Sequence, residues 1–114
     1  MAIPSITSST SSSSEFLASN EGVWRFGVTI ASGQGSIVKG EVLGKITASG
    51  KYGPYDNAAV DGRETAVCIA AENVDATSGD QLCQAVFSGA AYESKLTGLD
   101  ANGKTDLANH FLFL

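Results

Sequence analysis

Short apolar runs separated by glycine are the feature that most constrains the fold of this chain. Its 114 residues include 13 glycines, and beyond Gly22 no helical period of apolar residues persists over three turns. Apolar segments of this length, bounded by turn residues, are typical of strands. The sequence therefore predicts a mainly β fold with little helix, of the β-barrel or β-sandwich type. A chain of this length holds one core, so we expect a single domain.

Five strands are expected, separated by segments rich in residues that turn the chain. The predicted strands are 24–31, 42–47, 65–73, 82–87 and 110–114. Segment 65–73 is apolar at nearly every position, which indicates that both of its faces are covered. A turn at 75–80 would pair it with 82–87 as a hairpin.

The two cysteines are expected to be reduced packing residues. A turn centred at 77–78 places Cys68 opposite Phe87 in the hairpin. The same register places Cys83 opposite Glu72, and the two sulfurs are then too far apart for a disulfide. Two cysteines are also too few for a disulfide scaffold or a zinc site.

The N-terminal part of the chain differs in composition from the rest. Every position from 5 to 14 except Ile6 is Ser or Thr. Such a segment cannot bury enough apolar area to offset its ordering entropy. We therefore expect a flexible arm at 1–21 and a β-rich domain at 22–114.

Apolar residues stand at both ends of the Ser/Thr tract, with Ile3 and Ile6 at one end and Phe16 and Leu17 at the other. A solvated tail would not need them, whereas an arm that becomes ordered on a partner would use them as contacts. Composition leaves both interpretations open, and the apolar residues favour the arm that binds.

Charge and hydropathy exclude two classes of partner. The formal net charge is −5, with seven Lys and Arg, whereas binding a phosphate backbone needs clustered cations. No apolar stretch approaches the roughly 20 residues that span a bilayer, and the N-terminus lacks the pattern of a secretory signal. We expect neither nucleic acid nor a membrane as partner, and synthesis in a cytoplasm.

One segment matches the phosphate-binding loop pattern, in which four residues separate Gly98 from Gly103, Lys104 and Thr105. In nucleotide-binding proteins, that loop follows a strand of a parallel sheet and leads into a long helix. Only nine residues follow Thr105, so we expect neither a crossover helix nor a parallel sheet. A glycine turn is favoured, followed by at most one helical turn at 105–108.

No pattern indicates catalysis, a metal or a cofactor. His110 is the only histidine and is expected at the surface or in packing, and no Ser or Cys has the local context of an activated nucleophile. Asp100, Asn102 and Asp106 lack the spacing of a calcium loop. We therefore expect the chain not to be an enzyme and to hold no cofactor.

The sequence leaves the location of two groups of large apolar residues open: the C-terminal residues 111–114 and a set of five aromatic residues. The four that end the chain, 111–114, predict burial either in the core or in a subunit contact. Exposed together, the aromatic residues would form a carbohydrate-binding surface, although the alternate spacing of Trp24 and Phe26 favours one buried strand face. The aromatic set is Trp24, Phe26, Tyr52, Tyr55 and Phe87.

The run Val-Thr-Ile-Ala-Ser-Gly-Gln at 28–34, followed by Gly-Glu-Val-Leu-Gly-Lys-Ile-Thr at 40–47, resembles the head decoration protein family of lambda-like tailed bacteriophages. Segments 50–67 and 71–80 are similar to the central hairpins and turns of that family. The resemblance extends roughly over 16–91, and the linked order of its segments is more specific than any single motif.

The resemblance implies a capsid-stabilising structural protein without catalysis. It implies a β-rich domain that trimerises and binds the exterior of the expanded head at three-fold and quasi-three-fold positions, where it stabilises the shell against DNA pressure. The implied partners are the major capsid protein of a tailed phage and further copies of the chain. The implied location is the capsid exterior of the virion, after synthesis in the host cytoplasm.

In this family the N-terminal segment adds a strand to capsid-protein elements, and the corresponding segment here is 5–23. Phe16 and Leu17 would anchor the end of the arm, and Trp24 and Phe26 would fix its exit from the domain. The predicted capsid-binding residues are Ile3, Ile6, Phe16, Leu17, Trp24 and Phe26.

The chain also departs from the family pattern. Cys68 and Cys83 are unexpected in it, and 98–105 is unlike the helical segment that the family has there. Two further hypotheses are a surface module that binds carbohydrate or a cell surface through the aromatic residues, and an enzyme that uses the loop at 98–105.

Overall fold

The computed structural model describes Leu17 and residues 23–114. Within this part of the chain there are eight strands, one α-helix and a single 3-10 turn at Glu93–Lys95. The strands are β1 Trp24–Ile30, β2 Ser36–Ile37, β3 Val42–Lys45, β4 Tyr52–Pro54, β5 Ala66–Ala70, β6 Val74–Asp75, β7 Gln81–Ala91 and β8 Phe111–Phe113, and the helix is α1 Ala101–Leu107. No helix in the described residues is long and apolar enough to cross a membrane.

The main sheet closes on itself through its longest strand. Its order is β1-β4-β3-β5-β7-β8, and β7 also pairs with β1. The strands β1, β4, β3, β5 and β7 therefore form a five-stranded barrel, with β8 added outside it and parallel to β7. The strands β2 and β6 form a separate antiparallel pair. The prediction of a mainly β, barrel-like fold with little helix is confirmed.

Two apolar clusters cover the two faces of the sheet. One is enclosed by β1, β3, β5 and β7 and includes Ile30, Leu43 and Cys68. The other lies between the sheet and α1 and includes Ile69 and Leu107. Because β5 contributes to both clusters, the prediction that this strand is covered on both faces is confirmed.

The predicted hairpin register is also confirmed. In the β5–β7 pair, Ile69 lies opposite Val86 and Ala70 opposite Ala85, which is the register of a turn centred at 77–78. Both cysteines are buried and free, as expected. Burial is the main cause that raises the pKa of each thiol, to about 11 for Cys83.

The sequence prediction missed three short strands. The strand β4 lies inside a segment that was expected to be a break, and β2 and β6 are only two residues long. The strand β7 continues four residues beyond its predicted end, to Ala91, where it pairs with β8. Two-residue strands and irregular ends have no periodicity that a sequence can display.

Two of the four C-terminal residues are in the core, one of the two environments that the sequence left open, and the other two are exposed. Phe111 is buried in the cluster beneath α1, and Phe113 packs against the same cluster. Leu112 and Leu114 are exposed. Alternation along β8 therefore places one pair of side chains in the core and turns the other pair outward.

Candidate functional site

Trp24 and Phe26 lie on the surface, so the prediction that they form a buried strand face is wrong. Their exposed fractions are 64% and 49%, whereas Val28 and Ile30, further along the same face of β1, are buried. The β1–β7 register shifts between Trp24 and Arg25. At this irregular end of β1 the core no longer covers the strand, and the two aromatic rings stay accessible.

Four of the five aromatic residues that were considered as a carbohydrate-binding surface form a connected cluster at the surface. The ring centroids of Trp24 and Phe26 are 5.5 Å apart with planes inclined at 48°. Phe87 contacts Phe26 edge to face at 5.5 Å and Tyr52 at 6.5 Å. Tyr55 is not part of this cluster, because it is buried beneath α1. Tilted and edge-to-face rings are a favourable packing geometry but do not present one flat platform.

A cleft with a volume of about 320 Å³ opens beside this cluster. Most of its lining is apolar, and its polar side chains are those of Asp106 and His110. The lining residues are Trp24, Phe26, Ala66, Val67, Phe87, Asp106 and His110. The volume and the apolar lining suit a side chain or a small apolar group.

The polar residues of the cleft have structural roles or lie at its rim. Asp106 Oδ2 accepts a hydrogen bond of 3.0 Å from the backbone N–H of Ala66, which joins α1 to β5. His110 is exposed. Within residues 23–114 and Leu17, no three His, Cys, Asp or Glu side chains are grouped so as to hold a metal ion. Asp106 thus has a structural role at the cleft, because its hydrogen bond to Ala66 fixes α1 on the sheet.

The second half of the phosphate-loop pattern, from Ala101 onward, lies in α1, so the expectation of a glycine turn is wrong at Gly103. Gly98 lies before the helix and has the positive φ of a turn glycine, 85°. Asp100 caps α1, and its Oδ1 accepts the Gly103 N–H at 2.7 Å. Lys104 and Thr105 follow inside the helix, and Lys104 Nζ pairs with Glu93 at 2.8 Å. A parallel strand pair is also present, contrary to expectation, since β8 is parallel to β7. The N–H of Gly103 is occupied by its own cap and is not available to a phosphate.

Leu17 joins the folded domain. Its side chain is buried with 7% exposed, and its backbone forms an antiparallel bridge to Ala91 of β7. A Cβ on Gly89 would lie 3.1 Å from Val23 and 3.7 Å from Leu17, so all three residues are close together. Three other predicted capsid-binding residues, Ile3, Ile6 and Phe16, lie outside the described residues.

A family model described as bacteriophage lambda head decoration protein D matches residues 6–109. The match begins within the Ser/Thr tract and ends after α1, so it covers most of the predicted arm and nearly all of the domain. The chain belongs to this head decoration protein family. No curated protein matches it at a significant level.

Membership of the head decoration family places the protein on a phage capsid as a structural component. The family match also extends past residue 91, where the sequence resemblance ended, and includes α1. The segment that seemed unlike the family, 98–105, therefore lies within the matched region, and most of it folds into a helix.

Proposed function

We propose that this protein cements the exterior of the expanded phage head. It binds as a homotrimer at three-fold and quasi-three-fold positions and stabilises the shell against the pressure of packaged DNA. The observation that carries this proposal is the family match over residues 6–109, which includes the arm and the domain in one alignment. Synthesis in the host cytoplasm precedes assembly onto the capsid.

The arm is proposed to bind the major capsid protein by strand addition. Ile3, Ile6 and Phe16 supply apolar contacts along it. Leu17 holds the base of the arm on β7 through its bridge to Ala91. Trp24 and Phe26 stand at the start of β1, where the arm leaves the domain, and they fix its direction.

Trimeric presentation makes such an arm effective. One backbone hydrogen bond contributes only about 0.5–1.5 kcal/mol net, so a single short strand binds weakly. Once one arm of a trimer is bound, the other two are held near their sites at high effective concentration. If the docking surface forms only on expansion, binding stabilises the expanded lattice by mass action.

Co-sedimentation with undecorated heads tests this proposal. The full chain should bind expanded heads saturably and unexpanded heads not at all. A variant that lacks residues 1–16 keeps Leu17 and its contacts with the core, so it tests the arm without removing a buried side chain. We expect this variant to lose binding. Equal binding by the truncated and full chains would refute the role of the arm, and no binding of the full chain to expanded heads would refute cementing.

Carbohydrate binding is the other function that the exposed Trp24 suggests. It is less well supported, because the rings of Trp24 and Phe26 are inclined to each other and the cleft lining is mainly apolar. A glycan screen with the full chain addresses it directly.

A further inference from the structure

Two dipeptides of this chain have the composition at which proteins modify themselves slowly. Asn102-Gly103 is the one Asn-Gly pair in the sequence, and Asp61-Gly62 is the one Asp-Gly pair. In such pairs the backbone nitrogen of the glycine attacks the side-chain carbonyl carbon of the preceding residue and closes a five-membered imide. Glycine favours this reaction because it has no side chain to hinder the attack.

The two pairs differ in the group that leaves. At Asn102 the Gly103 nitrogen loses its proton and forms a bond to Cγ, and the side-chain nitrogen leaves as ammonia. At Asp61 the Gly62 nitrogen displaces one carboxyl oxygen as water. Water then opens either imide to aspartate or isoaspartate. The net change is an exchange of ammonia for water at 102 and an isomerisation at 61, with no reagent other than water.

The attacking nitrogen of the first pair is held by a carboxylate. The Gly103 N–H donates to Asp100 Oδ1 at 2.7 Å as part of the cap of α1. A hydrogen bond to an anion is one of the stronger kinds. The negative charge beside the nitrogen also opposes loss of its proton, because the product would be a second anion. The side chain of Asn102 is held as well, since its Nδ2 donates to Asn57 Oδ1 at 3.0 Å.

The second pair has the same arrangement in a different part of the fold. The Gly62 N–H donates to Glu64 Oε1 at 2.8 Å, so its nitrogen also contacts a carboxylate. Asp61 accepts hydrogen bonds from the backbone N–H of Arg63 at 3.2 Å and from its Nε at 3.1 Å. The backbone N–H of Arg63 is the main cause that holds the pKa of Asp61 below its usual range. An ionised carboxylate is a poor electrophile, so this also slows ring closure.

The fold requires glycine in both pairs. Gly62 has a φ of 115°, and a Cβ there would collide with the carbonyl oxygen of Lys45. A Cβ at Gly103 would lie 3.0 Å from Tyr55 Cε2. Neither glycine is therefore easily replaced by a residue that would slow the reaction.

Modification would damage the fold at either position. Asn102 and Asp61 are exposed, so water has access to both. Isoaspartate adds one carbon atom to the backbone. At 102 this atom would lie in the first turn of α1, the helix that buries Leu107 in the core. At 61 it would disturb the hydrogen bond of 2.9 Å that the Thr47 N–H donates to Asp61 O.

We propose that Asn102 and Asp61 are the sites at which this protein ages chemically, and that the carboxylates of Asp100 and Glu64 keep both reactions slow. Each carboxylate holds its own glycine N–H, so the two sites respond to separate substitutions. The reaction at 102 proceeds when the first turn of α1 opens and frees the N–H. A protein on a capsid is not renewed after assembly, so slow reactions of this kind accumulate there.

Peptide mass spectrometry after incubation of the full-length chain in mildly alkaline buffer tests the proposal at Asn102. Deamidation appears as the gain in mass from ammonia to water, and enzymatic methylation detects isoaspartate. The folded wild type should react much more slowly than the same chain in denaturant. Asp100→Ala should speed the reaction at 102 about tenfold, because loss of an N-cap favours opening of the first turn by about that factor.

Glu64→Ala is the corresponding variant for Asp61. It should speed the formation of isoaspartate at 61 about tenfold, because it removes a hydrogen bond to a charged group. The assay uses mildly acidic buffer, in which more of the Asp61 carboxyl is protonated. Each variant is the matched control for the other: Asp100→Ala should leave the rate at 61 unchanged, and Glu64→Ala should leave the rate at 102 unchanged.

Tyr55→Phe separates the effect of the carboxylate from a general loss of stability. It removes the other hydrogen bond of Asp100 Oδ1 and leaves the bond to Gly103, so Asn102 should react at about the wild-type rate. Asp100→Asn keeps the cap oxygen without its charge and should speed the reaction less than Asp100→Ala. It replaces Asp100→Ala if that variant lacks the circular dichroism spectrum of the folded wild type.

Three results would overturn the proposal. The first is a folded wild type that reacts as fast as the denatured chain. The second is a wild-type rate at either site in the folded variant that lacks its carboxylate. The third is an equal acceleration at 102 by Tyr55→Phe and Asp100→Ala, because lower stability of the fold would then explain both.

Discussion

The hydroxyl of Tyr55 donates a hydrogen bond of 2.7 Å to Asp100 Oδ1, the same oxygen that accepts the Gly103 N–H at the start of α1. Tyr55 directly follows β4, so this contact joins the barrel to the helix across 45 residues of sequence. Burial, together with the hydrogen bond to Asp100, raises the pKa of Tyr55 to about 12. The phenol therefore remains a donor throughout the physiological range.

Removing the Tyr55 hydroxyl should destabilise the protein by about 1 kcal/mol, because the Tyr55→Phe variant keeps the buried ring and loses one hydrogen bond. Urea denaturation would measure the change. Tyr92→Phe is the control, since Tyr92 is 40% exposed and its hydroxyl can bond to water. Equal stability of Tyr55→Phe and the wild type would contradict the role of this contact.

Asp100 should contribute to the acid stability of the fold. The backbone N–H of Gly103, together with the Tyr55 hydroxyl, holds the pKa of Asp100 below its usual range. The folded pKa is the lower one, so the contribution is complete above the unfolded value of about 3.9 and is lost as pH falls through the folded value. Asp100→Asn keeps an acceptor oxygen without the charge, so its stability should change less with pH below about pH 4. An unchanged acid profile would exclude this contribution.

Gly103→Ala should destabilise the protein although alanine is the better helix former. An added Cβ would lie 3.0 Å from Tyr55 Cε2, and overpacking of this kind typically costs about 1–3 kcal/mol. Gly79→Ala is the matched control, because a Cβ at Gly79 meets no atom within 4 Å. Thermal unfolding of the two variants measures the difference, and a Gly103→Ala variant more stable than the wild type would show that Tyr55 moves aside.

Leu17→Ala should destabilise the domain by about 2–4 kcal/mol, since the Leu17 side chain is buried in the cluster beneath α1. Deletion of residues 1–16 should leave the free energy of unfolding unchanged, because this variant retains Leu17. Chemical denaturation of both variants tests where the folded domain begins. If the deletion destabilises the protein as much as Leu17→Ala, the domain begins before Leu17.

Both thiols should resist modification in the folded protein. Cys68 and Cys83 are at most 1% exposed, and burial raises the pKa of both, so neither access nor thiolate formation favours reaction at neutral pH. A colorimetric thiol reagent should detect no thiol in the native chain and two per chain in denaturant. Rapid reaction of the native protein would show that the barrel opens.

The sequence by itself determined the β5–β7 hairpin, including its register. Segment 65–73 is apolar on both faces, so it must be covered on both sides. A turn centred at 77–78 then fixes its register with the following strand, with Ile69 opposite Val86. The four large apolar residues at 111–114 indicated burial in the core or in a subunit contact, and only the structure separated buried Phe111 from exposed Leu112. These features are local, so the residues that decide them lie within one turn or one strand.

The tertiary structure alone decided what covers each element. Trp24 has the alternate spacing of a core strand, yet it is exposed because the barrel ends before it. Gly103 matches a phosphate loop, yet it lies inside a helix because Asp100 caps that helix and Tyr55 occupies the space a side chain would need. Leu112 is exposed while Phe111 beside it is buried, because the pairing of β8 with β7 decides which side chains face the core. Such pairings depend on the closure of the whole sheet, and local periodicity carries no information about them.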